Sequence, residues 1–207
     1  MIDIVKDVKD IAPLVDMHYN AFKGRLTSEL GKKYIACFFS NVITSEHGVF
    51  YTYREGNKIL GFVCGTTDID KFWNKNYMVK LGKFALSAIM KNPLLVFGIL
   101  RHMWVDHQIN KLKVNAHMLS FVVLEGYRGR GIGQKLVQAF SNFMEEQGVQ
   151  NYLIPYTDAR DYASKFYQKM GFRLNRVVNF FGNKENCFIF DLSSSKKEKK
   201  KIVEAMQ

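Results

Sequence analysis

Residues 120–136 have the sequence SFVVLEGYRGRGIGQKL, and this stretch carries the strongest structural signal in the chain. Its first half is an apolar run that is typical of a buried strand. Glycines follow at positions 129, 131 and 133, and apolar residues from 133 to 147 recur with the spacing of an amphipathic helix. The stretch therefore predicts a strand, a glycine-rich turn and a helix in direct succession.

This succession favours the binding of an anion, most simply a phosphate, at the turn. The N–H groups at the start of a helix have no partner within the helix, and the helix dipole adds positive potential there. Gly129, Gly131 and Gly133 let a ligand approach the backbone closely, while Arg128 and Arg130 can add charge-assisted hydrogen bonds. The turn lacks the Lys-Ser/Thr of a P-loop and the third glycine of the dinucleotide fingerprint. A glycine-rich surface turn without a ligand is the alternative interpretation of this motif alone.

The order of the other patterns places this unit in a mixed sheet. A short N-terminal strand is followed by two amphipathic helical patterns, at 11–22 and 28–44, and by a hairpin around Glu55-Gly56-Asn57. Two more helical patterns, a strand, the glycine turn with its helix, another strand, a helix at 161–170 and a closing hairpin complete the chain. We therefore expect an α/β (α+β) fold with one mixed central β-sheet flanked by helices.

Charge and composition limit the remaining possibilities. The net charge of +11 is concentrated in a basic helical insert at 71–111, which carries +6, and in a Lys-rich tail at 193–207, which carries +3. No apolar run reaches the roughly 20 residues of a spanning helix, and the start of the chain does not resemble a signal peptide. The three cysteines have no metal-ligand spacing. We expect a cytoplasmic protein with reduced thiols, no metal, one domain at 1–192 and a polar tail.

Two motifs resemble those of the GNAT superfamily of N-acyltransferases. The pattern [RQ]-x-x-G-x-[GA] is matched by Arg128, Gly131 and Gly133, between an apolar strand and a helix. Further along, DYASKFYQKMGF at 161–172 is similar to the family's A-x-x-F-Y-x-K-x-G-F segment. The two motifs follow in the family's order on predicted strand–helix units, and the resemblance extends well over 113–192 and loosely over 2–70. It implies a GNAT-like domain in which 71–111 is an insert.

The resemblance implies an N-acetyltransferase that uses acetyl-CoA as its acyl donor. In the family, the glycine turn binds the pyrophosphate of the donor, the preceding strand binds its pantetheine arm, and a tyrosine acts as the general acid for the departing thiolate. A backbone N–H near Val123 would stabilise the tetrahedral oxyanion. Arg160 occupies a position where relatives often have a pantetheine-binding asparagine, so its expected contact is with a phosphate instead. The donor-binding residues implied are Phe121, Val122, Val123, Arg128, Gly129, Arg130, Gly131, Ile132, Gly133, Arg160 and Tyr167, and Tyr167 is the implied acid.

The general base is predicted on separate grounds. His117 lies six residues before Val123, so regular alternation along a strand would place both on one face. Relatives often carry a glutamate at this position, and a histidine is a suitable substitute. His107 and His102 are rivals, and a purely structural histidine remains the alternative. Cys64 and Cys37 lack the setting of a nucleophile, which favours direct attack by the acceptor amine.

The acceptor is expected to be a primary amine of a small molecule, and an amino-sugar nucleotide would suit the basic insert. Asp68 is predicted to hold an amine or hydroxyl of the acceptor, and Phe72 and Trp73 to stack on its base or sugar. The insert has three other interpretations: two helices packed on the domain, an anchor at an anionic membrane surface that reaches a lipid-linked substrate, or non-specific nucleic-acid binding. We expect no specific nucleic acid, and a monomer or a homodimer. A non-catalytic acyl-CoA sensor or partner module is the alternative function.

Overall fold

The structure, a computed structural model, describes residues 1–73, 75–158, 162–180 and 183–193. Within these ranges one mixed sheet has the strand order β1-β2-β3-β4-β5-β7-β6, and β4 with β5 is its parallel pair. This confirms the predicted mixed sheet flanked by helices. The strands are β1 Ile2–Ile4, β2 Gly48–Glu55, β3 Lys58–Thr66, β4 His117–Val123, β5 Asn151–Asp158, β6 Arg173–Phe180 and β7 Asn183–Asp191.

Helices cover both faces of the sheet in the described part of the chain. The expected helix at 28–44 begins instead at Lys32, because Gly31 adopts a left-handed backbone with φ of 94° and separates it from a short preceding helix. The helices are α1 Ile11–Ala21, α2 Leu26–Glu29, α3 Lys32–Thr44, α4 Ile69–Phe72, α5 Lys75–Lys91, α6 Leu95–Asn110, α7 Ile132–Glu146 and α8 Tyr162–Lys169.

The first face of the sheet is covered by α1 and α3 over β2, β3 and β4. Phe39 from α3 lies at the centre of this layer, where its ring contacts those of Phe50 and Phe62 at centroid distances of 5.0 and 5.5 Å. His18 from α1 packs edge-on against Phe39. Burial lowers the pKa of His18 to about 4, so this imidazole is neutral in the folded protein at pH 7.

The second face is covered by α7 and α8. Leu136, Val137 and Phe140 form the buried stripe of α7, in agreement with the apolar spacing of the sequence. Phe140 packs edge-on against Tyr152 of β5 at 5.2 Å. The Tyr152 hydroxyl is paired with Ser141 Oγ at 2.8 Å, so this buried polar group is satisfied.

The second helix of the insert completes the first face. Val105 and Ile109 of α6 are each 1% exposed and pack with Leu153, Val178 and Cys187 from β5, β6 and β7. The inner side of α6 therefore fills the half of the face that α1 and α3 leave uncovered. This contact fits the interpretation in which the insert packs on the domain, at least for one side of the helix.

The two sides of α6 should differ in their effect on stability. We expect Ile109→Ala to lower the free energy of unfolding by about 2–4 kcal/mol, because it opens a cavity against the sheet. The matched control on the same helix is Leu100→Ala, whose side chain is 51% exposed and which should change stability by no more than about 0.5 kcal/mol. Urea denaturation of both variants measures the difference. Equal effects would show that α6 is not part of the core.

Candidate functional site

The parallel strands β4 and β5 diverge after one point of pairing. Their register contains the pair His117↔Leu153, and the Leu153 N–H donates to the Ala116 carbonyl at 2.9 Å. Beyond this pair, no other residues of the described parts of β4 and β5 are paired with each other. The sheet thus contains an opening between the second halves of β4 and β5, and we call it the β4–β5 opening.

Backbone groups of β4 line this opening. The Leu124 N–H donates to the Leu60 carbonyl of β3, so the backbone groups of Val122, two residues earlier, also point to β3. Those of Phe121 and Val123 alternate with them and point toward β5. Three strand residues were predicted to bind a ligand. Of these, Phe121 and Val123 offer backbone donors and acceptors to the opening. Val122 does not, because its side chain is buried and its backbone pairs with β3.

The glycine turn lies directly after β4. Gly131 is the N-cap of α7 and has φ of 76°, and Gly129 has φ of 78°, so both occupy the left-handed region that favours glycine. The side chain of Ile132 is buried in the core, so this residue can offer a ligand only its backbone. The first turn of α7 thereby presents unpaired N–H groups and the positive end of a four-turn helix to one spot.

The charged side chains of the turn are held by local contacts. Arg128 Nε donates to the Val123 carbonyl at 3.3 Å, which joins the turn to the end of β4. The guanidinium of Arg130 lies over the ring of Tyr127 at 4.9 Å, and Lys58 Nζ donates to the Tyr127 hydroxyl at 2.9 Å. Arg128, Arg130 and Lys58 thus lie near the N-terminus of α7. Their positive charges strengthen the attraction of this helix end for an anion.

Helix α8 closes the far side of the opening with aromatic rings. Phe166 stacks on Phe121 at a centroid distance of 5.5 Å, and Tyr167 contacts the same ring at 6.1 Å. A Cβ added at Gly133 would lie 3.1 Å from the Phe121 ring and 3.2 Å from the Phe166 ring. The absence of a side chain at Gly133 therefore lets α7, β4 and α8 meet, and the structure brings the predicted Gly133, Phe121 and Tyr167 together.

Tyr167 is the more deeply buried of the two aromatic residues on α8. It is 5% exposed, and its ring lies among those of Phe172 and Phe188 in addition to Phe121. Phe166 is half-buried and lies nearer the glycine turn. The rings of Phe166 and Tyr167 therefore both border Phe121.

His117 stands at the closed end of the opening. Its ring is 5% exposed, and Nε2 lies 2.9 Å from the Val114 carbonyl, so this nitrogen carries the proton and Nδ1 is the acceptor. Burial lowers the pKa of His117, although the Val114 hydrogen bond and two carboxylates oppose this effect. The imidazole is therefore neutral at pH 7, as a base must be. The structure does not place it beside Tyr167.

A bulge changes the relation between His117 and Val123. Cys64 pairs with Ser120 and the next residue of β3, Gly65, pairs with Met118, so Leu119 is left out of the register. The extra residue reverses the alternation before it, and the expectation that His117 and Val123 share one face is wrong. Regular period-two counting fails here because a bulge has no signal in the sequence.

The predicted acceptor residues have mixed positions. Phe72 is 1% exposed and packs against Phe38 and Tyr77, so the prediction that it stacks on a ligand is wrong, because its ring belongs to the core. Trp73 is 39% exposed and stacks on Tyr77 at 5.6 Å, so it can still contact a ligand. Arg160 lies outside the described residues, as do residues 194–207 of the tail.

Asp68 has a structural function in the fold. It is the N-cap of α4, and its carboxylate accepts from the Lys71 N–H and lies 3.2 Å from Lys71 Nζ. Burial alone would raise the pKa of Asp68, but the hydrogen bonds and charge of Lys71 outweigh it and the net pKa lies below the usual value. Asp68 is therefore ionised at neutral pH, and an acceptor group would have to compete with Lys71.

Sequence reasoning missed a group of buried polar residues on β7, an interior strand between β5 and β6. Glu185 of β7 is 6% exposed, forms an ion pair with Arg101 of α6, and lies 3.8 Å from Arg25 Nη1 before α2. On the other face of β7, Asn186 Nδ2 donates to Ser164 Oγ of α8 at 3.3 Å. The ion pair joins segments 84 residues apart in the chain, and no local pattern could have indicated it.

Two buried hydroxyls on the diverging strands have no hydrogen-bond partner among the described residues. They are Ser120 Oγ of β4 and Thr157 Oγ1 of β5. Each hydroxyl keeps the capacity to form a hydrogen bond with a water or a ligand beside its own strand. Among all residues that the structure describes, no group of three or more His, Cys, Asp or Glu side chains is arranged to hold a metal ion.

Comparison with known proteins finds similarity to acetyltransferases. Residues 89–174 match the family described as Acetyltransferase (GNAT) domain. A curated relative, N-alpha-acetyltransferase 30 of Schizosaccharomyces pombe, is 28% identical over 80 residues, which cover 38% of this chain and 53% of the relative. The match thus spans about half the length of that protein.

Solved structures of similar fold extend over nearly the whole chain. The structure of Arabidopsis thaliana NAA60 in complex with acetyl-CoA superimposes with a TM-score of 0.58 and 18% identity, covering 93% of this chain and 98% of that one. An aminoglycoside 6'-N-acetyltransferase complexed with coenzyme A superimposes with a TM-score of 0.61 and 11% identity, covering 93% and 97%. At these identities the likeness concerns the fold.

The backbone of the glycine turn gives a stability prediction with a matched control. Gly131→Ala places a Cβ on a left-handed residue and should lower the free energy of unfolding by about 1 kcal/mol. Gly126→Ala, five residues earlier, has open space around its Cβ and no left-handed backbone, so it should be close to neutral. Thermal and urea denaturation measure both. Equal stability of the two variants would contradict the left-handed turn at Gly131.

Proposed function

We propose that this chain, which carries a GNAT acetyltransferase domain at residues 89–174, is an acyl-CoA-dependent N-acyltransferase. The reaction proposed is transfer of an acetyl group from acetyl-CoA to a primary amine of a small molecule. One observation carries the proposal: the glycine turn, the free edge of β4 and the ring of Tyr167 converge at the β4–β5 opening. The similar folds include proteins described in complex with acetyl-CoA or coenzyme A, which supports the donor.

The residues of the opening fit such a donor. The N–H groups of the first turn of α7, with Arg128 and Arg130, would hold the pyrophosphate. The backbone edge formed by Phe121 and Val123 would bind the amides of the pantetheine arm as a neighbouring strand would. Acetyl-CoA supplies the activated acyl group, and the chain supplies its positioning and the proton transfers.

The chemistry assigns a separate task to each group. The attacking amine forms the C–N bond, the C–S bond breaks, and an N–H of the β4 edge stabilises the negative charge on the carbonyl oxygen between the two events. The Tyr167 hydroxyl gives its proton to the departing thiolate, and the neutral His117 takes the proton released by the amine. The products are an acetamide and free coenzyme A, and Tyr167 regains a proton from solvent.

The position of His117 requires that it act through water. Phe121 lies four residues beyond it, a separation of about 13 Å along an extended strand, and Val123 lies farther still. A direct hydrogen bond from His117 to an amine beside the backbone of Phe121 or Val123 would therefore be too long. Proton transfer from the amine to Nδ1 would therefore need a chain of several water molecules, and the two proton transfers are tested separately below.

A direct attack without a covalent intermediate agrees with the state of the cysteines. Burial raises the pKa of the Cys64 thiol and of the Cys37 thiol, and raises that of Cys187 to about 12. Nucleophilic cysteines have a lowered pKa instead. We therefore propose that donor and acceptor bind together before the acyl group moves.

For the acceptor we propose an amine on a sugar that carries a phosphate, such as an amino-sugar nucleotide. The support is the basic charge of 71–111 and the exposed ring of Trp73 at the start of that segment. A panel of amino-sugar nucleotides, aminoglycosides and peptides with free N-termini, each at equal concentration with acetyl-CoA, measures the preference by release of the free thiol. Binding of acetyl-CoA without turnover of any amine would favour the alternative, a non-catalytic acyl-CoA-binding module.

Removal of the proposed acid gives the first kinetic prediction. Tyr167→Phe should lower kcat at least about ten-fold with little change in affinity for acetyl-CoA, because the hydroxyl acts in the transition state. Tyr162→Phe on the same helix is the control, since its side chain is 62% exposed, and it should retain full activity. Steady-state kinetics and calorimetric titration provide the two readouts. Unchanged kcat in Tyr167→Phe would remove this residue from the mechanism.

The proposed base gives a pH prediction. Because burial lowers the pKa of His117, the neutral form persists below pH 6.5, and activity should fall only as the pH drops through that lower pKa. His117→Gln should lower kcat and abolish this acidic limb of the profile. His102→Gln, on α6 beside Asp106, is the control and should keep the acidic limb of the profile. Loss of that limb in this variant would instead assign the base to His102. An acidic limb that survives in His117→Gln would assign the base elsewhere.

A further inference from the structure

The insert exposes an unusual concentration of apolar side chains. Of the seventeen large hydrophobic residues that are exposed in the described part of the chain, ten belong to α5, α6 and the turn between them. A concentration of exposed apolar residues in one segment is typical of an interaction site. The ten residues are Met78, Val79, Leu86, Met90, Leu94, Val96, Phe97, Leu100, Met103 and Trp104.

On α6 these side chains form one stripe along the helix. Their separations of three, four and seven residues place them on one side, and we call this set the outer stripe. It consists of Val96, Phe97, Leu100, Met103 and Trp104. The opposite side of α6 carries the residues that pack on the sheet, so the outer stripe contributes nothing to the core.

On α5 the exposed apolar residues follow a similar spacing. Val79, Leu86 and Met90 lie seven and four residues apart, and the inner side of the helix carries the buried Tyr77 and Leu81. At the turn to α6 the exposure is greatest, since Met90 is 79% exposed and Leu94 is 71% exposed. Both helices of the insert therefore have a second apolar side that the domain does not cover.

The charges beside this surface are almost all positive. Lys75, Lys80, Lys83 and Lys91 project from α5 and are exposed. In the sequence from 71 to 111 the single acidic residue is Asp106, and its carboxylate lies 3.7 Å from His102. An apolar surface bordered by lysines is thus complementary to a partner that is both apolar and anionic.

We propose that the outer side of α5 and α6 docks on an anionic lipid bilayer. Helices that lie in the membrane interface bury an apolar side below the headgroups and place lysines among anionic lipids. A second copy of the chain fits less well, because a two-fold contact through this surface would bring the lysines of both copies together. No helix among the described residues has the length and apolar character needed to cross a membrane, so the contact is a peripheral one.

The proposal rests on the exposed surface and its charge, and it does not depend on the proposed acetyl transfer. It deals with the side of the insert that faces away from the sheet. The catalytic residues can therefore be left intact in every variant used to test it.

Flotation of the full-length protein with lipid vesicles tests the docking surface. We expect co-flotation with phosphatidylcholine vesicles that contain phosphatidylserine, and much weaker co-flotation with phosphatidylcholine alone. The double variant Phe97→Ser/Leu100→Ser should lower the vesicle partition coefficient by about ten-fold or more, because two apolar side chains no longer enter the interface. Leu174→Ser/Val177→Ser, on exposed positions of β6, is the matched control and should float like the parent protein.

The lysines have a test of their own. Lys80→Ala/Lys83→Ala/Lys91→Ala should abolish the preference for anionic vesicles, and its binding should no longer respond to added salt. An equal loss of charge elsewhere, in Lys6→Ala/Lys9→Ala/Lys23→Ala, should leave the lipid preference intact. Trp73 and Trp104 are the two tryptophans of the chain. In a Trp73→Phe background, the emission of Trp104 should therefore move to shorter wavelength when anionic vesicles are added.

Several results would overturn the proposal. Undiminished flotation of Phe97→Ser/Leu100→Ser would show that another segment, such as the Lys-rich tail, binds the vesicles. Sedimentation of the parent protein as a dimer that the same variant dissociates would show that a second copy covers the surface. Absence of flotation with anionic vesicles at low salt would exclude a lipid surface altogether.

Discussion

The divergence of β4 and β5 is the feature on which the rest of the site depends. Two parallel strands that stayed paired along their length would satisfy each other's backbone groups and leave no room for a ligand. Here the pairing stops after His117 and Leu153, so the edge of Phe121 and Val123 remains available inside an otherwise continuous sheet. The glycine turn and α7 begin at the end of this free edge, and α8 crosses its far side. The interruption of the sheet thus places three features side by side: the free backbone edge of β4, the N-terminus of α7, which can bind an anion, and the aromatic rings of α8.

The insert serves the same sheet from its other face. Its second helix contributes Val105 and Ile109 to the core beneath β5, β6 and β7, and its Arg101 pairs with the buried Glu185. A buried carboxylate needs a cation or hydrogen bonds close by, so this pair ties α6 to β7, the strand next to β5. The helix therefore has one side that belongs to the domain and another that is free for a partner. Treating 71–111 as a separate addition would miss the first of these functions.

Much of the fold was predictable because its signals are local. The strand, the glycine turn and the buried stripe of α7 follow from the spacing of residues 120–144. The structure brings Gly133, Phe121 and Tyr167 together, whereas their roles in donor binding stay a prediction. Features that depend on tertiary packing were not predictable. Phe72 turned into the core because a one-turn helix capped by Asp68 directs it there.

Register and long-range pairing also escaped sequence reasoning. The bulge at Leu119 placed His117 and Val123 on different faces, although strict alternation would put them on one. The contact of Glu185 with Arg101 joins two segments that share no pattern in the sequence. The exposure of the outer stripe on α6 could not be recognised either, because an apolar helix has the same composition whether one side or both sides are buried.

Amide hydrogen exchange in the presence and absence of acetyl-CoA tests the central claim most directly, because it reports on the free backbone edge itself. If the β4–β5 opening binds this donor, exchange should slow at Phe121 and Val123 and through Gly129 to Gly133, while amides of β1 and β2 stay unchanged. No change at those positions with saturating acetyl-CoA, or slowing confined to other parts of the chain, would contradict the assignment of the opening as the donor site.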